Sequence, residues 1–252
     1  MKNKLEINAG RFKVLSKPKN VISDIADAAR TCYKSFKNKS KETDKKLVKK
    51  LIERGHHAML EMSDIKVRFM NVSRGFTHEM VRHRLASYAQ ESTRYVDQKG
   101  LSVVFPPHKK NKEEIDISKE KVNLMDKFYS FLRNVKGWKP EDARQFLPIG
   151  LSNEIVVKAN VREWRHIFTM RCDKFAHWEI RSLMLDLLFW CKRYIPLVFD
   201  DFKFFTSKET GQQYARPIMS KNKIFDILDH AIISREISEE DLQNFIYGVK
   251  ND

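Results

Sequence analysis

The densest concentration of chemically capable side chains is Arg82-His83-Arg84-Leu85-Ala86-Ser87-Tyr88-Ala89-Gln90-Glu91-Ser92-Thr93-Arg94-Tyr95. Guanidinium forks match phosphate oxygens in bidentate geometry, and Ser and Gln side chains can orient an amide-like base edge. The segment therefore suits an anionic nucleotide held by side chains. The competing reading is a surface helix end laced by ion pairs three residues apart.

Other chemistries lack their residues. None of the eight glycines forms GxG, so neither a dinucleotide fingerprint nor a phosphate loop is present, and any nucleotide must be gripped by side chains. There is no HExxH, and His78 and His83 are five apart, a spacing that does not stack on a helix face, so no metal site is expected. There is no GxSxG elbow. Cys32, Cys172 and Cys191 are odd in number and contain no CxxC, which argues against a disulfide framework and fits a reducing cytoplasm.

The elements that must position the cluster follow from periodicity. Val21, Ile22, Ile25, Ala28, Ala29 and Cys32 predict a helix from Ser23 to about Lys34, and Leu47, Val48, Leu51 and Ile52 predict a second ending near Gly55. Ile65, Val67 and Phe69 alternate with Lys66 and Arg68 as a strand with one buried face. A helix from Ser73 is expected to carry Phe76, Met80 and His83 on one stripe, with Glu79 touching Arg82. The apolar run Leu101 to Phe105 precedes a polar loop through Lys112, and Leu124 to Val135 reads as a helix. Lys139-Pro140-Glu141-Asp142 starts a short helical element closed by Leu147-Pro148. Ile155, Val157 and Ala159 alternate as another strand. Asn160, three before Glu163, caps a helix through Arg171, and Ile180 to Ile195 makes the longest amphipathic helix, stopped by Pro196. Phe205 to Asn222 reads as a loop before a peripheral helical piece. Strands this few exclude repeated βαβ units, which leaves an α+β class.

The 252 residues include 48 Lys plus Arg against 33 Asp plus Glu, a formal charge of +15. Eight lysines lie between Lys34 and Lys50 with only Glu42 and Asp44. Such a run attracts polyanions or simply solvates a helix face, and no helix-turn-helix, paired metal ligands or RNP stretch supports sequence-specific nucleic-acid reading. No stretch is long and apolar enough to span a membrane, and no signal peptide or anchor is expected.

Arg82-His83-Arg84, seven residues, then Ser92 resembles the RHRx7S signature of flavin-dependent thymidylate synthases, and the flanks Thr77 to Val81 and Thr93 to Tyr95 are similar too. Ala29 to Tyr33, Gly55 to Glu61, Ala143 to Pro148, and Asn160 to His166 through Arg171 to Arg181 resemble successive blocks of that family in order, covering about residues 20 to 195. The resemblance implies an antiparallel sheet flanked by helices that forms a homotetramer. One synthase domain would span residues 1–200, with 201–252 as an extension of the same domain.

It further implies FAD held at subunit interfaces by His56, Glu61, Arg82, His83, Arg84, Asn160, Arg162 and His166. The substrate dUMP would be held by Glu79, Gln90, Ser92, Arg94, Arg144 and Arg171, with Arg171 against the pyrimidine as the catalytic residue. NADPH and 5,10-methylenetetrahydrofolate would be co-substrates for reductive methylation without a cysteine nucleophile. For several of these residues a plainer role competes: Asn160 only a cap, Glu61 only a surface acid, His56 only a loop residue, Arg171 only a cation at a helix C-terminus. Ala58, Met62, Ala89 and His177 depart from the commonest family pattern. A basic nucleic-acid-binding protein, and a relative that binds FAD and nucleotide without methyl transfer, remain as alternatives.

Overall fold

The computed structural model describes residues 4–7 and 10–218. Its centre is a four-stranded antiparallel sheet in the order β2-β3-β6-β4, formed by β2 (Arg11–Ser16), β3 (Asp64–Ser73), β6 (Ser152–Asn160) and β4 (Ala86–Gln90). Two smaller pairs stand apart. β1 (Lys4–Glu6) lies parallel to β5 (Ser102–Val104), and β7 (Phe202–Thr206) forms an antiparallel hairpin with β8 (Gln213–Pro217). The helices are α1 (Val21–Tyr33), α2 (Lys41–Glu53), α3 (Arg74–Met80), α4 (Lys112–Asn134), a single turn α5 (Pro140–Ala143), α6 (Val161–Arg171) and α7 (Trp178–Tyr194). A 3-10 segment covers His57–Met62.

The α+β class follows from the alternation in β3 and β6. Register places Ile65 opposite Ala159, Val67 opposite Val157 and Phe69 opposite Ile155, so six apolar side chains share one face. All six are buried. α6 packs on that face, where the Trp164 Nε1–H donates to the Ile65 carbonyl at 3.0 Å. Because this indole is fully buried, Trp164→Ala would cost about 3–5 kcal/mol. Asn160 Oδ1 accepts from the Glu163 amide at 2.8 Å, so the expected cap is present. α3 is locked to α7 through Ser73, whose amide donates to Glu179 Oε1 at 2.7 Å and whose hydroxyl donates to Oε2 at 2.5 Å.

The lysine-rich stretch is mostly α2, one exposed face of which carries ordinary pairs such as Lys45–Glu42. Asp44 is not one of these solvated charges. It is buried against Arg30, whose Nε and Nη2 donate to Oδ1 at 3.1 and 2.9 Å, tying α2 to α1. Removing one partner of a buried pair of this kind costs about 3–5 kcal/mol.

Several expectations are corrected. α3 stops at Met80, where the ladder tightens to three-residue bonds, His83 N–H to Met80 O at 3.2 Å among them. His83 is therefore not on the Phe76–Met80 stripe. Glu79 meets Arg171 instead of Arg82. At 23 residues α4 is longer than α7 at 17, and it begins at Lys112, the last residue of the stretch read as loop, well before Leu124. Its first three turns lack an apolar stripe and start from Asn111, whose Oδ1 accepts from the Glu113 and Glu114 amides. Phe205 to Pro217 belongs to the β7–β8 hairpin rather than to a loop. The expected C-terminal helical piece lies outside the described residues.

Candidate active site

Three elements converge beside the end of β6: the turn after α3, the first two turns of α6, and the 3-10 segment after α2. Together with the hairpin they enclose a cleft of about 1200 Å³. Of the residues expected to hold the cofactor, Glu61, Arg82, His83, Arg84, Asn160, Arg162 and His166 line it. His56 does not, while its neighbour His57 does.

Arg82 and Arg84 are exposed into this space, and among the described residues neither has a carboxylate partner. Glu61, by contrast, accepts from Arg162 Nη1 at 2.5 Å. Two unneutralised guanidiniums flanking a deep cleft fit a diphosphate. The donor set therefore suits a dinucleotide and not a metal; among the described residues no cluster of three His, Cys, Asp or Glu is placed to hold one.

His83 is the buried member of the triplet. Its Nε2 accepts from Arg171 Nε at 3.0 Å, and since a guanidinium only donates, the imidazole carries its proton on Nδ1. That nitrogen lies 3.7 Å from Glu163 Oε1, too long for a hydrogen bond. Burial first, then the neighbouring Arg171 and His166 side chains, pushes the His83 pKa down to about 4. Burial pushes the Glu163 carboxyl up, opposed by His166 and Arg162. Both shifts disfavour charge, so the contact is a neutral imidazole facing a carboxyl group rather than a salt bridge. The Tyr88 hydroxyl sits 2.8 and 2.6 Å from the Met80 and His83 carbonyls and fixes the turn.

Arg171 connects the cleft to a second group. Its Nη1 donates to Glu79 Oε2 at 3.0 Å and its Nη2 to the Glu79 carbonyl at 3.1 Å. His177, one of the departures from the family pattern, places Nδ1 3.8 Å from Glu79 Oε1. Arg171 does lie at a helix C-terminus, but its donors are spent on these groups and not on the last carbonyls of α6.

Gln90, Ser92, Arg94 and Arg144 do not line the cleft. The Thr77 hydroxyl donates to the Arg74 carbonyl at 3.0 Å, so it can only accept from Gln90 Nε2 at 2.7 Å. The other amide hydrogen of Gln90 reaches Asn153 Oδ1 at 3.2 Å. Gln90 is thereby oriented with Oε1 as the group it can offer a ligand. Arg144 Nη1 approaches Thr93 Oγ1 at 3.5 Å, Ser92 Oγ accepts from the Arg94 amide at 3.2 Å, and Arg94 Nε donates to Glu141 at 2.9 Å.

Sequence reasoning missed Arg74. Burial, then the neighbouring Arg144 cation, lowers its pKa, and only Glu91 opposes this. Two neighbouring guanidiniums are a donor set suited to an anion. The available signal was a cation on the first residue of α3, where the helix dipole disfavours it. Glu163 was read only as the far end of a cap, and a buried acid three residues past a cap gives no sign of facing a histidine on another element.

Known proteins resemble this chain in sequence and in fold. A family described as thymidylate synthase complementing protein, Thy1, matches residues 13–197. Flavin-dependent thymidylate synthases of Mycobacterium tuberculosis (strain ATCC 25618 / H37Rv) and Mycobacterium marinum (strain ATCC BAA-535 / M) are each 30% identical over 213 residues, covering 77% of this chain and 84% of theirs. A crystal structure of thymidylate synthase X from Helicobacter pylori with FAD and dUMP superimposes with a TM-score of 0.62 at 22% identity, over 76% of this chain and 98% of that one. At that identity the likeness is one of fold.

Proposed function

The chain belongs to the thymidylate synthase complementing protein family, and from that premise we propose that it is a flavin-dependent thymidylate synthase whose cofactor cleft and nucleotide site meet at Arg171. The reaction is reductive methylation of dUMP to dTMP, with 5,10-methylenetetrahydrofolate giving the carbon and NADPH the electrons. When bound, FAD carries hydride between NADPH and the methylene group. The observation that carries the reading is the pair of contacts made by one guanidinium: Nε to His83 on the cleft wall and Nη1 to Glu79 outside it.

The chain's own residues bind and orient. Arg82 and Arg84 suit the FAD diphosphate, with Glu61, Asn160, Arg162 and His166 around it. Arg74, Arg144, Ser92 and Arg94 suit the dUMP phosphate, and Gln90 Oε1 accepts from a donor on the nucleotide. Arg171, near the pyrimidine carbonyls, stabilises negative charge that builds on them as the ring reacts. No cysteine lines the cleft, and burial pushes the Cys172 and Cys191 thiols upward, away from the nucleophilic thiolate. The free thiols also accord with a cytoplasmic location. No helix among the described residues is long and apolar enough to cross a membrane.

Assembly is part of the same proposal. Leu85, Met170 and Phe175, flanking the Arg82–Arg84 turn and Arg171, are 75%, 52% and 85% exposed, an apolar rim suited to a second copy of the chain. A homotetramer that brings the Arg74–Arg144 group of one copy to the cleft of another would complete the site. Purified protein that is colourless, and that binds no FAD on titration, would refute the reading.

A further inference from the structure

The charge of the chain is unevenly spread. Residues 219–252 carry seven acidic side chains against four basic ones, and six of those acids fall between Asp226 and Asp241, a stretch with Arg235 as its one Lys or Arg. The last 34 residues thus hold −3 of the +15 total, and the first 218 hold +18. This acidic segment lies wholly past the family match, which ends at residue 197. We propose that it docks on the lysine face of α2 in its own chain. The docking does not depend on the function proposed above.

α2 presents Lys41, Lys45, Lys46, Lys49 and Lys50 to solvent. Two of them have a carboxylate in range, Lys45 with Glu42 at 3.4 Å and Lys49 with Glu53 at 3.9 Å. The remaining acid of the helix, Asp44, is buried and taken up by Arg30 at 2.9 Å. Among the described residues Lys41, Lys46 and Lys50 are therefore left without an acidic partner. α4, the other strongly charged helix, carries five basic and five acidic residues and offers no comparable field. The connection from α1 lies against the start of α2, because Arg30 donates from Nη1 to the Ser35 carbonyl at 2.7 Å and from Nη2 to the Thr43 hydroxyl at 2.9 Å. That connection adds the exposed Lys34 and Lys37, and with them Tyr33 and Phe36, 69% and 47% exposed. The segment brings apolar residues of its own to cover these rings, Phe225, Leu228 and Ile232 among them.

The segment also starts in the right place. Pro217 and Ile218, the last described residues before it, line the same cleft as Lys49, Ile52 and Glu53 of α2. The Ile218 amide donates to the Asp201 carbonyl at 2.9 Å, which fixes where the chain leaves the hairpin. Eight residues, from Ile218 to Asp226, extend up to about 26–29 Å, whereas the 13 residues of α2 are only about 20 Å long. Length therefore does not keep the acids from the lysines. Single exposed ion pairs are weak. A tethered segment, however, meets its face at an effective concentration on the order of millimolar, so several weak pairs acting together are enough.

Full-length wild-type protein is treated with a water-soluble carbodiimide, which joins a lysine amine to a carboxylate in contact with it as an amide, the elements of water passing to the reagent as it becomes a urea. Peptides from the monomer band of a denaturing gel are then mapped by mass spectrometry. The expected cross-links run from Lys41, Lys46 or Lys50 to acids between Asp226 and Asp241, and fall about fivefold or more in about 1 M salt, where exposed charges are screened within about 3 Å. A second measurement compares acetylation of the α2 lysines in wild type with that in a variant carrying Asp226→Asn, Asp229→Asn, Glu236→Gln, Glu239→Gln, Glu240→Gln and Asp241→Asn. Acetylation is expected to be about fivefold faster in the variant, while Lys121 and Lys127 of α4 react equally in both. Cross-links from the segment to α2 found only in the dimer band would seat it on a second copy. Absent cross-links with equal acetylation would leave the lysine face to solvent, and α2 lysines protected only when a single-stranded oligonucleotide is added would give that face to a nucleic acid. Each of these three results would overturn the proposal.

Discussion

Arg171 Nε donates to His83 Nε2 across 3.0 Å, joining residues 88 positions apart in the sequence, one at the end of α6 and the other in the turn after α3. The bond fixes the histidine as a neutral Nδ1–H tautomer and aims the rest of the guanidinium at Glu79. A single side chain thus couples the geometry of the cleft wall at His83 to that of Glu79 outside it.

Arg171→Ala removes the cation proposed to face the pyrimidine while leaving Arg82 and Arg84 in place. Bound flavin is expected to stay, and kcat for dTMP formation to fall by about 10²–10³, the usual effect of deleting a charge-stabilising donor. The flavin spectrum after desalting and a turnover assay check both halves; unchanged turnover would remove Arg171 from the site.

Arg82→Ala removes an exposed guanidinium that has no carboxylate partner among the described residues. Its loss is expected to cost little stability and to weaken FAD retention, since charge-assisted hydrogen bonds contribute about 1.5–3 kcal/mol each. The check is the fraction of flavin surviving a desalting column. Full retention would place the diphosphate elsewhere.

The repulsion between Arg74 and Arg144 predicts that inorganic phosphate raises the melting temperature of the ligand-free protein, because an anion that binds only the folded state stabilises it. Arg74→Ala should abolish most of that rise and increase the KM for dUMP. A thermal shift that is the same in wild type and variant would show that the two arginines do not share an anion.

His83 also sets a pH dependence. Its pKa in the folded protein, about 4, lies below the ordinary 6.5, so between these values the unfolded chain binds the additional proton. Its contribution to stability is therefore intact above about pH 6.5 and is lost as pH falls toward 4. The groups facing the ring are Arg171, His166 and Glu163, and the raised pKa of Glu163 acts in the opposite sense, so the comparison must isolate His83. Denaturant stability of wild type relative to His83→Gln is expected to decline across that window. A constant difference would mean that His83 titrates normally.

Much of this was legible in the sequence, for identifiable reasons. β3 and β6 have one face buried and one exposed, so apolar alternation reports them directly. β4 is an edge strand of half-buried and exposed residues with small side chains at Ala86 and Ala89, and leaves no such trace. α3 was overextended because Phe76, Met80 and His83 keep helical spacing after the helix has ended. The first half of α4 carries no assignment in the sequence, and the β7–β8 hairpin reads as a loop, because their stability comes from a cap, charge pairs and docking onto α6 and α7. The site residues were readable where the chemistry lies in one segment, Arg82 to Arg94. Arg74, Glu163 and the hairpin wall enter only through the folding together of distant segments, which no local pattern encodes.

The proposed reaction methylates dUMP with electrons from NADPH and not from the folate. Anaerobic incubation with FAD, dUMP, NADPH and 5,10-methylenetetrahydrofolate, followed by quantitation of both products, tests it most directly. The expected outcome is dTMP and tetrahydrofolate in equal amounts, with one NADPH oxidised per dTMP. Formation of dihydrofolate in place of tetrahydrofolate, or NADPH oxidation with no dTMP, would contradict it.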